Sequence, residues 1–259
     1  MSEDGDDPAT AAEVDEDAGA DVTAAVSADV CRVRAPAEWR WLVTGHGGGR
    51  RHARAAYNVT VPEEFDRTDL DAYARERRRE AGFETPGPSL LTGVSMRHAR
   101  VAVRGPVTVV ATGGLSNPAT LPLESQGGSS PPDDRPPVGT VNLLVATGRA
   151  LAAGTLTELL ATAVEAKTAT LLAATGFSGT TSDAVAVGCD PEGDPASFAG
   201  SATTVGDAVR VCVRDALLAS LRSRYRDRGD ELPASVAAAA HGVVTDGTAR
   251  VGEPTRPDR

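Results

Sequence analysis

Two apolar runs, each followed by a long segment of helical character, constrain the fold of this chain more than any other feature. The runs Gly139–Gly148 (GTVNLLVATG) and Asp183–Cys189 (DAVAVGC) are short and rich in valine, as buried strands are. The segments that follow, through Leu156–Gly176 and through Asp207–Tyr225, have the length and apolar spacing of amphipathic helices. This alternation predicts a layered α/β fold in which helices pack on a sheet.

Capping signals mark where the two long helices begin and end. Thr155 and Glu158 form a T-x-x-E capping box, and Gly176 follows the last helical residue of the first helix. Thr204 and Asp207 repeat the spacing as T-x-x-D at the start of the second helix. We therefore expect both helices to start at these threonines.

The sequence pattern of the first half of the chain predicts further strands and one helix. The segments Trp39–Gly45 and Ala53–Val61 are predicted strands around a glycine-rich turn. Thr68 is a candidate cap for a helix that ends at Gly82, and Gly105-Pro106 divides a predicted hairpin. Together these elements predict a single layered α/β domain, with a central sheet and two long packed helices, over residues 31–228.

Three segments differ in composition from the predicted domain. Residues 1–28 carry nine acidic side chains and no basic one, so residues 1–30 are predicted to be a disordered acidic tail. Residues 229–259 are expected to be a poorly ordered C-terminal extension, with at most a short helix through the alanines. The Pro/Gly/Ser-rich segment 117–139 is predicted to be a flexible surface loop.

The charge balance excludes some classes of partner. The chain carries 36 acidic and 26 basic residues, a formal net charge of −10, so it lacks the basic surface that nucleic-acid binding requires. Of the basic residues only Lys167 is a lysine. An acidic surface nearly free of lysine favours a salt-adapted cytoplasmic protein, although a GC-rich genome would also favour arginine.

No segment predicts a membrane span, a secretory signal or a metal site. No apolar stretch approaches the roughly 20 residues of a membrane-spanning helix, and the acidic N-terminus lacks the apolar core of a signal peptide. The four histidines have no ligand spacing, and Cys31, Cys189 and Cys212 fit neither a disulfide framework nor a metal knuckle. We expect reduced thiols, with Cys189 and Cys212 as small core residues, and no bound metal.

Lys167 is the single residue most suggestive of chemistry. It follows Val164 by three residues and precedes Leu171 by four, so it lies on or beside the predicted apolar face of its helix. A desolvated amine there can serve a reaction, whereas a lysine at the edge of the core can also extend its amine to solvent. The sequence leaves both readings open.

Short polar residues cluster at the start of the strand that follows. Thr180, Thr181, Ser182 and Asp183 come directly after Gly179, and they either line a site or close an Asx or Ser/Thr turn. A similar cluster, ATGGLSNP, ends an earlier strand. The run GHGGG could cradle an anion, but it lacks the lysine of a P-loop and the spacing of a dinucleotide-binding motif.

In chain order these segments resemble one family. The segments are YNVTVP, ATGGLSNP, GTVNLLV, ELLATAVEAKTATL, SGTTSDAVAVGC and FAGSATTVGDAVRVCV, and together they are similar to the adenosylcobinamide amidohydrolases over about Trp39–Leu221. The resemblance implies a corrinoid-salvage enzyme that hydrolyses the amide between the aminopropanol arm and the corrin ring. The products would be adenosylcobyric acid and 1-aminopropan-2-ol. The corrinoid is then a small-molecule substrate, and no cofactor is expected.

The resemblance turns the polar residues into candidates for amide hydrolysis, which needs a base, donors to the oxyanion and an acid for the amine. Asp183 or Glu165 is the candidate base, and Lys167 would stabilise charge or donate a proton. Thr180 and Thr181 would supply hydroxyl contacts, and either water or a threonine is the nucleophile. The residues expected to orient substrate amides are Asn58, Ser116, Asn117, Asn142 and Ser182.

Two other functions fit the same motifs. A non-catalytic corrinoid-binding module would use the same pocket without a base, and a hydrolase could act on a corrinoid with a nucleotide loop attached. The sequence leaves the choice open, and it leaves the oligomeric state open as well.

Overall fold

The computed structural model describes residues 22–124, 140–227, 232–239 and 241–253. The helices of this part of the chain are α1 (Leu70–Glu80), α2 (Ala153–Thr175) and α3 (Thr204–Asp227). The strands of its first half are β1 (Thr23–Ser27), β2 (Val30–Val43), β3 (Gly49–Thr60), β4 (Ser89–Thr92), β5 (Arg100–Arg104), β6 (Val107–Gly113) and β7 (Pro118–Thr120). The strands of its second half are β8 (Val141–Thr147), β9 (Ala150–Leu151), β10 (Gly179–Thr180), β11 (Ala184–Cys189), β12 (Pro195–Ala196) and β13 (Val243–Val244).

One large mixed sheet forms the centre of the molecule. Its strands lie in the order β4-β3-β2-β11-β8-β6-β5, and β1 pairs with β2 outside this path. The strands β8 and β11 are parallel because α2 connects them across one face of the sheet, whereas β11 and β2 are antiparallel. The predicted class, a single layered α/β domain with two long packed helices, is confirmed.

The two faces of the sheet have different coverings. On β8, Val141, Leu143 and Val145 pack with α2 and α3 in the largest apolar cluster. Alternate residues of the same strand, such as Leu144, face the other way and pack near Trp41. That second face carries α1 and the β2–β3 turn, and the site described below opens there.

Several helix starts and segment boundaries differ from the predictions. The helix α2 begins at Ala153, two residues before the expected threonine, because Thr155 and Glu158 have other partners. The Thr155 hydroxyl donates to the Ser197 carbonyl at 2.9 Å, and the Glu158 carboxylate accepts from the Ala199 amide at 2.8 Å. These side chains therefore hold the segment before α3 and do not cap α2. The end of α2 is as predicted, with Gly176 at φ +76°.

The other two helices have their N-caps one residue away from the predicted threonines. The helix α1 follows Asp69, and no side chain caps its first turn. Ahead of α3, the hydroxyl of Thr203 accepts from the Gly206 amide at 3.0 Å, a role predicted for Thr204. Neighbouring hydroxyl residues compete for each helix start, and spacing alone does not separate them.

Both ends of the domain extend further than predicted. Residues 23–27, within the predicted tail, form β1 and pair with β2 in a register that sets Thr23 opposite Arg34. Within the predicted extension, residues 236–238 form a single 3₁₀ turn, and β13 pairs in parallel with β7. The rest of the predicted tail, residues 1–21, and most of the predicted surface loop, residues 125–139, lie outside the described residues.

The three cysteines are free thiols, and all are buried, which was expected only of Cys189 and Cys212. Burial raises the pKa of Cys31 to about 12 and that of Cys212 to about 11, and it also raises the pKa of Cys189. Across the described ranges, no helix is long and apolar enough to cross a membrane.

Candidate functional site

A buried ion pair joins α2 to the start of β11. The ammonium of Lys167 donates to Oδ2 of Asp183, and both side chains are about nine-tenths buried. The carboxylate of Asp183 also accepts from the Val141 amide at 2.9 Å, from the Thr180 amide at 3.2 Å and from the Thr180 hydroxyl at 2.5 Å. Four donors therefore converge on one carboxylate and fix the turn that precedes β11.

The buried face of α2 is rotated relative to the prediction. Val164, which was expected to face the core, is exposed, as is Leu172, whereas Lys167 and Thr170 are buried. The Thr170 hydroxyl donates back to the Ala166 carbonyl, so a threonine can occupy the buried face at little cost. The pattern of apolar residues alone therefore predicted the wrong buried face for α2, and Lys167 lies within the observed one.

Glu165 does not belong to this site. It projects from the opposite side of α2, where its carboxylate accepts from the guanidinium of Arg210 on α3. Both side chains are largely exposed to solvent. Glu165 therefore lies away from Asp183, and its role as a base stays a prediction that this position does not favour.

Asn117 connects the two glycine-rich and hydroxyl-rich loops. Its side-chain amide donates to the Thr181 hydroxyl at 2.6 Å and more distantly to the Ser182 hydroxyl at 3.5 Å. The main-chain carbonyl of Asn117 accepts from the Thr181 amide. Within the described residues, the buried Oδ1 of Asn117 has no hydrogen-bond partner. The neighbouring Ser116 is half-buried, and its carbonyl accepts from the His241 amide. The two loops, which the sequence analysis noted only as similar clusters, are thus brought together.

Asn58 and Asn142 form a structural network beneath the site. The amide of Asn142 donates to Oδ1 of Asn58 at 2.8 Å and to the Leu91 carbonyl at 2.9 Å, and its own Oδ1 accepts from the Ala184 amide. Asn58 in turn donates to the Thr112 hydroxyl at 2.8 Å. Both asparagines are buried and hydrogen-bonded within the protein, which favours a structural role, and their contact with substrate amides stays a prediction.

A large cleft opens on the face of the sheet opposite α2 and α3. Its volume is about 1330 Å³, above the roughly 300–1,000 Å³ of pockets for drug-sized molecules. The β2–β3 turn, α1 and β4 form its walls, and Thr140, Ser182 and Asp183 line one end. Of the residues predicted to form the site, Ser182 and Asp183 line the cleft, while Lys167 lies behind Asp183 and outside the lining.

The glycine-rich turn between β2 and β3 presents a histidine to this cleft. Gly45 and Gly47 have φ of +83° and +62°, a region that residues with a Cβ rarely adopt. The turn is tied to β11, because the Thr44 amide donates to the Val185 carbonyl and the Thr44 hydroxyl accepts from the Val185 amide, both at 2.9 Å. His46 therefore lies beside the strand that Asp183 precedes.

The partner of His46 is a carboxylate at the start of α1. Nε2 of His46 lies 3.5 Å from Oδ1 of Asp71, and both side chains are at least half exposed. Sequence reasoning considered GHGGG only as an anion cradle and so missed this pair. The available signal was a histidine enclosed by glycines, together with an aspartate in the first turn of the next helix.

A buried arginine lies further along the same wall. Arg78 on α1 is 7% exposed and lines the cleft, with its guanidinium 5.3 Å from the ring centre of Tyr57. Its pKa is lowered by burial. Among the described residues, no three His, Cys, Asp or Glu side chains converge as a metal site would require.

Comparisons with known proteins agree on one family. The family model described as adenosylcobinamide amidohydrolase matches residues 13–229. A relative from Halobacterium salinarum, named adenosylcobinamide amidohydrolase, is 52% identical over 217 residues, covering 83% of this chain and 92% of the relative. A relative of the same name from Methanosarcina mazei is 30% identical over 191 residues, covering 70% of this chain and 89% of the relative.

Proposed function

This chain belongs to the adenosylcobinamide amidohydrolase family, and we propose that it hydrolyses the amide linking the aminopropanol arm of adenosylcobinamide to the corrin ring. Water adds to the amide carbonyl, the carbon–nitrogen bond breaks, and the departing nitrogen takes up a proton. The products are adenosylcobyric acid and 1-aminopropan-2-ol. The corrinoid is the substrate, and we propose that the reaction needs no separate cofactor.

The observation that carries this proposal is the cleft. A corrin ring with its amide arms is much larger than a drug-sized ligand, and the cleft is correspondingly large. At one end it brings together a histidine–carboxylate pair, a serine hydroxyl and a buried ion pair. A binding module needs the volume but has no use for these reactive groups, so the arrangement supports a hydrolase over a corrinoid carrier.

His46 is the proton acceptor we assign to the attacking water. Asp183 is poorly suited to this task, because each of its oxygens already accepts two hydrogen bonds. The Nε2 atom of His46 faces Asp71, which favours a proton on that nitrogen and leaves Nδ1 to accept one. The 3.5 Å separation is typical of catalytic pairs without substrate, which tighten when substrate binds.

Lys167 and Asp183 then have a positioning role. Their ion pair holds residues 180–183 in the turn that presents Ser182 to the cleft. Ser182 is the hydroxyl we assign to the amide oxygen or the leaving amine. Thr181, which is held by Asn117, and Thr180, which is held by Asp183, support this turn and are not assigned as nucleophiles.

The test is turnover of adenosylcobinamide, with separation of the corrinoids by chromatography and mass detection. We expect adenosylcobyric acid and 1-aminopropan-2-ol in equal amounts. A folded His46→Gln variant should bind the corrinoid and lose at least a hundredfold in kcat, the range of general base catalysis. The matched control is Glu165→Gln, which lies on the far side of α2. Binding without turnover by the unaltered protein would instead establish the corrinoid-binding module.

We also propose that the protein works in a cytoplasm of high salt concentration. The support is the excess of 36 acidic over 26 basic residues, the presence of a single lysine, and a similar protein in the halophile Halobacterium salinarum. Activity and stability that increase between low and molar salt would support the proposal. A protein equally stable in dilute buffer would contradict it.

A further inference from the structure

Arg78 is a buried charged group whose guanidinium lies 5.3 Å from the ring centre of Tyr57 but has no carboxylate to balance its charge among the described residues. It is 7% exposed, its Nε is buried with no hydrogen-bond partner, and Nη1 lies 3.5 Å from the Gly87 carbonyl, at the outer limit of a hydrogen bond. Within the described ranges, no carboxylate lies within ion-pair distance of it. A buried charge without a counter-charge destabilises the folded state, so the position calls for a ligand.

A second cation lies one helical turn away on the same wall. Arg75 also lines the cleft, and in the described part of the chain it too forms no ion pair. Carboxylates are not scarce near this helix, because Arg77 is paired with Glu80 and Arg67 is paired with both Asp69 and Glu76. Three arginines of α1 form no ion pair among the described residues, and two of them, Arg75 and Arg78, line the cleft, whereas Arg79 does not.

The acidic residues of the cleft do not neutralise this pair. Asp183 is paired with Lys167 and Asp71 faces His46, while Glu38 and Asp66 line the cleft without forming an ion pair in the described structure. Two guanidinium groups separated by one turn match the several oxygens of a phosphate, which arginine binds through paired hydrogen bonds. A phosphate also supplies the negative charge that a neutral amide arm lacks.

The position of the pair relates this phosphate to the reacting bond. Arg75 follows Asp71 by one turn and Arg78 by two, so the pair lies about 6–10 Å along α1 from the carboxylate that faces His46. In the proposed substrate the alcohol oxygen of the aminopropanol arm is only three bonds from the amide nitrogen. A phosphate ester on that oxygen would extend from the reacting amide toward the arginines.

We propose that Arg75 and Arg78 form an anion subsite that binds a phosphate group, and that the cleft accepts a corrinoid whose aminopropanol arm carries a phosphate ester. The second part rests on the proposed function, whereas the first part does not. The hydrolysed bond is the same amide, with the phosphorylated amino alcohol leaving in place of 1-aminopropan-2-ol.

Direct binding of inorganic phosphate tests the subsite without requiring turnover. Calorimetric titration at constant ionic strength should show one phosphate site. We expect Arg75→Gln and Arg78→Lys each to weaken binding about tenfold or more, the effect of losing a charge-assisted hydrogen bond. Arg75 is exposed, so its variant should fold even if a change at Arg78 does not. The control is Arg79→Gln, an exposed arginine of α1 outside the cleft lining.

The second arm of the experiment identifies the source of the phosphate. The phosphorylated corrinoid should have a higher kcat/KM than the unphosphorylated one, and Arg75→Gln should remove most of this advantage. Phosphate binding without such a preference would overturn the substrate assignment and make free phosphate the ligand. Absence of phosphate binding, or equal binding by Arg75→Gln, would overturn the subsite. Intact phosphate binding without turnover of either corrinoid would overturn the proposed function and leave the subsite standing.

Discussion

Replacing Lys167 by methionine should destabilise the fold by about 3 kcal/mol, because it leaves the buried carboxylate of Asp183 without its counter-charge. Only 8% of the lysine side chain and 11% of the aspartate side chain are exposed. Breaking a buried pair from one side costs about 3–5 kcal/mol. The lower end is expected here, since Val141 and Thr180 still donate three hydrogen bonds to the carboxylate. For a domain of this size the melting temperature should fall by about 6–12 °C.

The same helix provides a matched control. Glu165 and Arg210 are 62% and 38% exposed, so Glu165→Gln should cost no more than about 1 kcal/mol, and less in molar salt. Urea unfolding of both variants, at low and high salt, measures the difference. The Lys167→Met cost should change little with salt because the pair is shielded from solvent.

A third variant separates loss of a charge pair from loss of packing. In Lys167→Met/Asp183→Asn no buried charge remains at this pair, so this protein should be more stable than Lys167→Met alone. The reasoning is refuted if the free energy of unfolding of Lys167→Met lies within about 1 kcal/mol of that of the unaltered protein. It is also refuted if the double variant is the less stable of the two.

Three further perturbations test the turn, the catalytic assignment and the core. The Cβ of Gly48→Ala would lie 2.6 Å from the Val43 carbonyl oxygen, so the turn that carries His46 must shift. We therefore expect a lower kcat in steady-state turnover and little loss of corrinoid affinity in equilibrium titration. Asp71→Asn should reduce kcat by about tenfold or more, less than His46→Gln, because it alters only the orientation of the imidazole; an equal loss of affinity would contradict this. Burial raises the pKa of all three cysteine thiols, so a thiol reagent at pH 8 should not label them until the protein unfolds. Rapid labelling of Cys31, Cys189 or Cys212 in the native protein would contradict the burial.

The raised thiol pKa values also fix a direction for the pH dependence of stability. The unfolded thiols ionise near pH 8.5–9 whereas the folded ones remain protonated, so their contribution to stability is complete below that range and is lost as pH rises toward the folded values. Circular dichroism during urea unfolding at pH 8 and pH 10 should show the lower stability at pH 10. In a control variant, all three cysteines are replaced by alanine. If this variant is equally stable at pH 8 and pH 10, the loss of stability at pH 10 is due to the thiols.

The sequence predicted the elements of the fold better than their limits. The period of the apolar residues identified α2, α3 and the strands around them, because burial of one face imposes that period regardless of context. The start of α2 was misplaced because Thr155 and Glu158 are bonded to residues 197–199, some forty positions away. Local spacing contains no information about such partners.

The candidate site was predicted only in part, for a related reason. Lys167 and Asp183 were identified because a lone lysine and a polar cluster stand out along the chain. Asn58 and Asn142 also stood out, yet their amides are used to join strands that are far apart in sequence. His46 became interpretable only when the fold placed α1, and with it Asp71, across the cleft.

The position of β11 in the sheet has a consequence for how the chain folds. This strand lies between β2 and β8, and its register sets Ala186 opposite Val43, so the two are brought together from 143 positions apart. Until residues 184–189 leave the ribosome, the hairpin of β2 and β3 has an unpaired edge along residues 40–43 of β2, beyond the part that β1 covers, and an uncovered apolar face. Pairing across so many residues is slow because the intervening chain must first be closed into a loop. A stall in synthesis before β11 would therefore leave this edge open to pairing with other chains while the site is still incomplete.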